Sequence, residues 1–357
     1  MTTAASTAKG TIELRGGTMP DEGRMVHSGC QATDLAAGLS RPRRREPIGV
    51  GEGKSGMPLE RLVLADGRVV VTKRIRPGGD WVMRNTHDEG RAAQMWWRGI
   101  LAEILPILDH GVIGVLDAAP GWLLVMRDLS EWICTDGRRI SRAESRRIIA
   151  AFHDLHLAFA DRRLDDLCPL RDRYTVLSPA MSERERDGDA LVPKLVDRGW
   201  DIFTTVVDAD VRDAVMALLH DPSPLAAALE QRPATLVHGD MKMANLGIAP
   251  HAVIAIDWGA MTGIAPAAVD WAWYLATAAS SIDADRDAVL ADIRDVEGEH
   301  HDPVGLELAL LGALVQLGWN KALDAREHPD PAVRAREAAD LDWWVDSARR
   351  TLNHQNL

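Results

Sequence analysis

The spacing of hydrophobic and polar positions changes along the chain, and each change predicts an element. Residues 1 to about 42, rich in Thr, Ala, Gly and Ser, show no sustained period. They read as a mobile tail with a short helix near Thr33–Leu39. From Ile48 onward the pattern is strand-like. Leu59–Ala65 and Arg68–Arg74 are β-rich runs separated by Asp66-Gly67, a two-residue hairpin signal. Asn85–Leu105 places Ala92, Met95, Trp96 and Ile100 at helical spacing, and Trp122–Met126 is a short buried-strand run. Ser141–Ala160 opens with Ser141 and Glu144 in the arrangement of a capping box and continues as an amphipathic helix. Arg171–Pro193 is polar and broken by Pro and Gly, which predicts a loop. The remainder reads as helix apart from Thr235–Asp257, which holds two short strands. Strands early and helices late predict an α+β protein with a small sheet lobe and a larger helical lobe.

Composition narrows the function classes. At 357 residues the chain is long enough for about two domains or lobes. Hydrophobic residues at 46% and charged residues at 26% exclude wholesale disorder. The net charge of −12 argues against nucleic acid or an anionic membrane surface as partner, and is compatible with a cationic small substrate. Three cysteines, Cys30, Cys134 and Cys168, without CxxC spacing signal neither a disulfide framework nor a zinc site. With no run of 18 apolar residues and no apolar stretch in the first 30, the expectation is a soluble, cytoplasmic protein. Nothing in the sequence sets an oligomeric state.

The most informative segment is Leu236-Val237-His238-Gly239-Asp240-Met241-Lys242-Met243-Ala244-Asn245-Leu246, followed by Ile254-Ala255-Ile256-Asp257-Trp258-Gly259. Each half sets polar residues directly after an apolar run, where a strand or buried loop presents them to a cleft. His-Gly-Asp, four residues, Asn, then an apolar run ending in Asp-Trp resembles the catalytic and metal loops of the aminoglycoside phosphotransferase family. These are small-molecule kinases of protein-kinase-like fold, related to choline kinase. The resemblance covers about residues 48 to 280. It implies a bilobal fold with a small antiparallel-sheet N-lobe and a larger, mainly helical C-lobe. The corresponding division is tail 1–42, nucleotide-binding N-lobe and hinge 43–129, and helical C-lobe 130–357.

Phosphoryl transfer from ATP explains these residue types. One carboxylate, Asp240, orients the attacking hydroxyl and accepts its proton. Hard oxygen ligands, Asn245 and Asp257, suit Mg²⁺ bridging the phosphates. Lys242 follows the catalytic Asp by two, as in protein kinases, where the corresponding Lys contacts the transferred phosphate. Lys73, closing the β-branched run Val69–Thr72, stands where such kinases hold the α and β phosphates. Glu89 is the candidate to orient Lys73 by an ion pair, with Asp88 competing. A glycine-rich loop, Gly49 to Gly56, lies upstream, and Gly51, Gly53, Lys54 and Ser55 are its candidate phosphate contacts. It is not a Walker A motif, because position 48 is Ile where GxxxxGK[ST] needs Gly, and a hairpin follows where a helix is required. Of the six lysines in the chain, Lys54, Lys73 and Lys242 fall in these phosphate-facing segments. By the same resemblance, the backbone of Arg127, Asp128 and Leu129 is the hinge that pairs with adenine. His156 is buried structure, and Asp270 supports the catalytic loop without taking part in chemistry.

His-Gly-Asp in place of His-Arg-Asp, Asp-Trp-Gly in place of Asp-Phe-Gly, and the missing Ala-Pro-Glu segment argue for a small-molecule hydroxyl as acceptor, not a protein. The expected activity is transfer of the γ-phosphate of ATP to an aminoglycoside-like or other antibiotic, amino sugar, sugar or amino alcohol. The alternative is a pseudokinase serving as a nucleotide-binding or protein-interaction module. Eight acidic residues against two basic ones between Asp283 and Asp302 read either as a solvated helix face or as a site for substrate ammonium groups. His300-His301 has no second ligand cluster and does not signal a metal site.

Overall fold

The structure, a computed structural model, describes residues 36–48, 59–135 and 137–355. Most of the N-terminal tail and the whole glycine-rich loop, including Gly51, Gly53, Lys54 and Ser55, lie outside them. A helical turn, α1 (residues 36–40), leads into a five-stranded antiparallel sheet. Its strands are β1 (Arg44–Ile48), β2 (Leu59–Val63), β3 (Val69–Ile75), β4 (Val112–Asp117) and β5 (Trp122–Arg127), in the order β1-β2-β3-β5-β4. The β2–β3 hairpin turns at Asp66-Gly67, where Asp66 Oδ1 accepts from the Arg68 N–H at 2.9 Å. β1 was not predicted, because its sequence Arg-Arg-Glu-Pro-Ile has no apolar alternation. It is an edge strand, where charges and a proline are tolerated, and Arg45 pairs with Glu60 on β2 at 2.6 Å.

After α2 (Trp81–Asn85), the helix expected over Asn85–Leu105 is two short helices, α3 (Arg91–Trp97) and α4 (Ile100–Ile104). Gly90 and Gly99, with φ of +100° and +76°, break it. At Gly90 a Cβ would lie 1.9 Å from the Trp122 ring, so the chain must turn there without a side chain. The apolar positions still face one way, and Met95, Ile100, Leu101 and Ile104 are buried.

The large lobe begins with the two-residue strand β6 (Ile140–Ser141), paired in parallel with β11 (Ile282–Asp283), and α5 (Arg142–Ala158). The capping box forms as predicted, with Ser141 and Glu144 bonding each other's backbone N–H. The expected loop Arg171–Pro193 holds two helices, α6 (Leu170–Thr175) and α7 (Pro179–Arg184), each too short to show a period in sequence. Then come α8 (Leu191–Val206), α9 (Ala209–His220) and α10 (Ser223–Glu230). Thr235–Asp257 contains three strands, not two: β7 (Thr235–Val237), β8 (Leu246–Ile248) and β9 (Val253–Ala255). β7 pairs with the following β10 (Gly263–Ala265), and β8 pairs with β9. The chain ends in α11 (Ala268–Ala278), α12 (Arg286–Glu297), α13 (Pro303–Glu327) and α14 (Pro331–Gln355). Leucines and alanines cover α13 on nearly every side, as a helix at the centre of a bundle requires, and it packs on α8, α11 and α14. Among the described residues no helix is long and apolar enough to cross a membrane.

Candidate active site

Two short antiparallel pairs present the site. β7 leads into His238, Gly239 and Asp240, and the β8–β9 pair leads into Asp257. The buried carboxylate of Asp270, on α11, fixes the first loop by accepting from the backbone N–H of His238 at 2.9 Å and of Gly239 at 2.8 Å. Burial pushes the Asp270 carboxyl up, but the bond to His156 Nε2 at 3.1 Å, together with His238 and the Gly239 N–H, holds it below the usual carboxylate range. His238 joins the two loops. Its Nδ1 accepts from the Asp240 N–H at 3.1 Å, so the ring proton sits on Nε2, 2.9 Å from the Ile256 carbonyl.

Asp240 is gripped from both sides. Lys242 Nζ and Asn245 Nδ2 donate to Oδ2 at 2.6 and 2.9 Å, and Trp273 Nε1 donates to Oδ1 at 3.1 Å. Burial raises the carboxyl and the Lys242 ammonium lowers it more, so the group stays ionised. Asn245 Nδ2 also reaches the Asp240 carbonyl at 2.9 Å, which leaves its Oδ1 for another partner.

Lys73, on β3, reaches across the cleft to Asp257, with Nζ 2.5 Å from Oδ1. Asp257 adopts a left-handed backbone, φ +68°, uncommon for a residue with a side chain. Against the upward push of burial, Lys73 and then Lys242 bring its carboxyl down to about 2. The partner of Lys73 is therefore not Glu89. With the expected helix broken at Gly90, Glu89 lies exposed ahead of α3. Nor is it Asp88, whose Oδ1 accepts from the Gly90 and Arg91 N–H groups. The small-lobe carboxylate whose field acts on Lys73 is Asp80, buried at the N-cap of α2 and unforeseen in sequence.

Lys73, Asp240, Lys242, Asn245 and Asp257 thus meet in one place. In the segment expected to be the hinge, the Arg127 N–H donates to the Gly111 carbonyl and its guanidinium pairs with Asp109. Asp128 accepts from Arg61 at 2.7 Å, and the Leu129 carbonyl accepts from the Trp132 N–H. The Arg127 N–H and the Asp128 carboxylate are therefore engaged within the protein. In the acidic run of 283–302, Asp283 pairs with Arg139, Asp292 with Arg142 and Arg146, and Asp302 with Arg232.

Two further groups organise the cleft and escaped the sequence reading. Arg91, 4% exposed, ties α3 to the segment after Asp257 through the Ala260 carbonyl at 2.7 Å. Glu185, just after α7, accepts from Arg84 Nε at 2.9 Å and Asn85 Nδ2 at 3.2 Å on α2, and Arg184 donates back to Asn85 Oδ1 at 3.0 Å. This seam ties α2 of the small lobe to the large-lobe segment that follows α7. Trp273 is a third, and the helical spacing of Trp271 and Trp273 carries no signal for the bond of Trp273 to Asp240.

No family model matches the sequence, and no curated protein does. Among solved structures, choline kinase LicA from Streptococcus pneumoniae is 11% identical, with 90% of this chain and 100% of that chain covered and a TM-score of 0.50. Aminoglycoside phosphotransferase APH(3'')-Id from Streptomyces rimosus, solved with ADP and streptomycin, is 18% identical over 82% of this chain and 99% of that one, with a TM-score of 0.49. An aminoglycoside phosphotransferase from Alicyclobacillus acidocaldarius is 16% identical over 94% and 98%, with a TM-score of 0.45. In its topology, and in its likeness to the choline kinase, the chain has the bilobal protein-kinase-like α+β fold.

Proposed function

We propose that the protein is an ATP-dependent phosphotransferase that moves the γ-phosphate to a hydroxyl of a small molecule. The observation that carries this reading is the Asp240 carboxylate, ionised, held at both oxygens and 2.6 Å from Lys242. An ionised, immobilised carboxylate can accept a hydroxyl proton as the oxygen attacks, and its fixed orientation aligns the attack. Lys242, bound to it, supplies positive charge where the transferred phosphoryl oxygens gather negative charge. Lys73 would hold the α and β phosphates once they draw it from Asp257, and its reach across the cleft supports that role.

The donor set fits Mg²⁺. Asn245 Oδ1 and the Asp257 carboxylate are hard oxygens, and two protein ligands suffice where phosphate oxygens complete the shell. No group of three or more His, Cys, Asp or Glu side chains able to hold a metal alone occurs among the described residues. Asn245 and Asp257 would hold the ion, which would supply positive charge to offset that of the phosphates. The nucleotide-binding role of Gly51, Gly53, Lys54 and Ser55, and of the Arg127–Leu129 backbone groups other than the engaged Arg127 N–H and Leu129 carbonyl, belongs to the same proposal.

The sequence lacks an Ala-Pro-Glu segment, which favours a small-molecule acceptor, and the acceptor hydroxyl must reach Asp240 beside the Trp273 indole. Calorimetry of ATP binding tests the nucleotide half. Asp257→Ala is expected to abolish Mg²⁺-dependent binding more than metal-free binding, and equal losses under both conditions contradict the metal role.

A further inference from the structure

α6 carries a residue whose placement ordinary packing does not explain. Arg173 is 2% exposed, and no carboxylate pairs with it among the described residues. Its Nη1 donates to the carbonyl of Gly239 at 2.6 Å, with the Met261 carbonyl at 3.5 Å from the same nitrogen. Its Nε and Nη2 are buried without an acceptor among the described residues. The guanidinium carbon lies 5.0 Å from the centre of the Trp273 ring, and Trp273 is the residue whose Nε1 bonds Asp240 Oδ1.

An unpaired buried guanidinium is expensive. An arginine serving structure alone recovers that cost by filling its five donors. This one leaves donors unfilled and spends its charge on two groups that both end at Asp240. One is the carbonyl of the residue directly before it. The other is the π face of the indole that orients its carboxylate, where a cation is favoured and strengthens the indole N–H as a donor. The arginine itself is held by the helical bundle. Gln316 on α13 donates to the Arg173 carbonyl at 2.9 Å, and Gly312 leaves room for Tyr174, since a Cβ there would lie 2.5 Å from the phenolic oxygen. The sequence around Gly239 fits the same contact, because a Cβ at Gly239 would lie 2.6 Å from Arg173 Nη1.

We propose that Arg173 is a positioning residue for Asp240, fixing its carboxylate from two sides through the Gly239 carbonyl and the Trp273 indole, and so governing turnover without touching nucleotide. The consequence for turnover rests on the reading of Asp240 as the catalytic base; the geometric part does not. Two readouts keep these apart. The indole N–H resonance of Trp273, assigned by its disappearance in Trp273→Phe, reports the Asp240 bond directly. Steady-state kinetics with an accepted substrate report the consequence.

In Arg173→Gln the Trp273 resonance is expected to move toward its position in Asp240→Asn while the other indole signals stay in place. Turnover is expected to fall at least tenfold with the KM for ATP within about twofold, and Arg173→Lys is expected to recover part of both. An unmoved resonance overturns the proposal whatever the turnover. So does unchanged turnover in Arg173→Gln when Asp240→Asn is inactive. A resonance that moves while Asp240→Asn retains full turnover removes the base reading and upholds the positioning. If Arg173→Gln does not fold, Arg173→Lys carries the same readouts, and failure of both to fold makes Arg173 structural and ends the proposal.

Discussion

Lys73 and Asp257, 184 residues apart in sequence, close on each other across the cleft between the lobes at 2.5 Å. Each holds the other ionised. Burial lowers Lys73 and Asp257 raises it by more, so its pKa lies above 10.5, while that of Asp257 comes down to about 2. For Asp257 the folded value is depressed from 3.8, so its contribution to stability is present above pH 3.8 and is lost as the pH falls toward about 2. For Lys73 the folded value is raised, so its contribution is present below pH 10.5 and is lost above it. The Asp257 side chain is 41% exposed, and solvent screening limits the effect to about 1 kcal/mol or less.

The melting temperature of the ligand-free protein is therefore expected to exceed that of Asp257→Asn at neutral pH. The gap narrows as pH falls from 3.8 toward about 2. A gap independent of pH in that window means that the pair does not form in solution.

Gly239 has φ +83°, and a Cβ there would meet the Met261 carbonyl at 2.0 Å as well as Arg173. Gly239→Ala is expected to displace the loop carrying Asp240, costing about 1–3 kcal/mol of stability and most of the turnover. Urea unfolding and single-turnover kinetics check it, and a variant with wild-type stability contradicts the loop geometry.

Glu185 receives donors from Arg84 and Asn85 of the small lobe. Its carboxyl is held below the usual range first by the Arg84 bond, so it is ionised at neutral pH. Glu185→Ala leaves these donors unmatched and is expected to cost about 1–3 kcal/mol in urea unfolding, with Glu185→Gln intermediate. Loosening the seam also frees the lobes to separate, and the small-angle scattering radius of the variant is expected to rise. Unchanged stability and radius would mark the seam as incidental.

Sequence signals served best where chemistry is local. Ser141 and Glu144 are three residues apart, and Asp66-Gly67 is one dipeptide, so the capping box and the hairpin were legible. Asp240, Asn245 and Asp257 were legible through the resemblance of their spacing to a known pair of loops, which two short strand pairs present. The partner of Lys73 was not, because Gly90 and Gly99 break a pattern whose apolar positions alone look continuous. α6 and α7 are six residues each, shorter than two helical turns. Arg173, Arg91 and Trp273 act through contacts 33 to 169 residues distant, and no local pattern marks them.

The central claim is tested most directly by ADP release from ATP and Mg²⁺ by the purified protein. The acceptors are aminoglycosides, other cationic antibiotics, amino sugars, choline-like alcohols and peptide pools, with Asp240→Asn run in parallel. The account predicts release that depends on a hydroxyl-bearing small molecule and falls by several orders of magnitude in Asp240→Asn, while that variant still binds nucleotide. Release driven only by the peptide pools, or undiminished in Asp240→Asn, would contradict it.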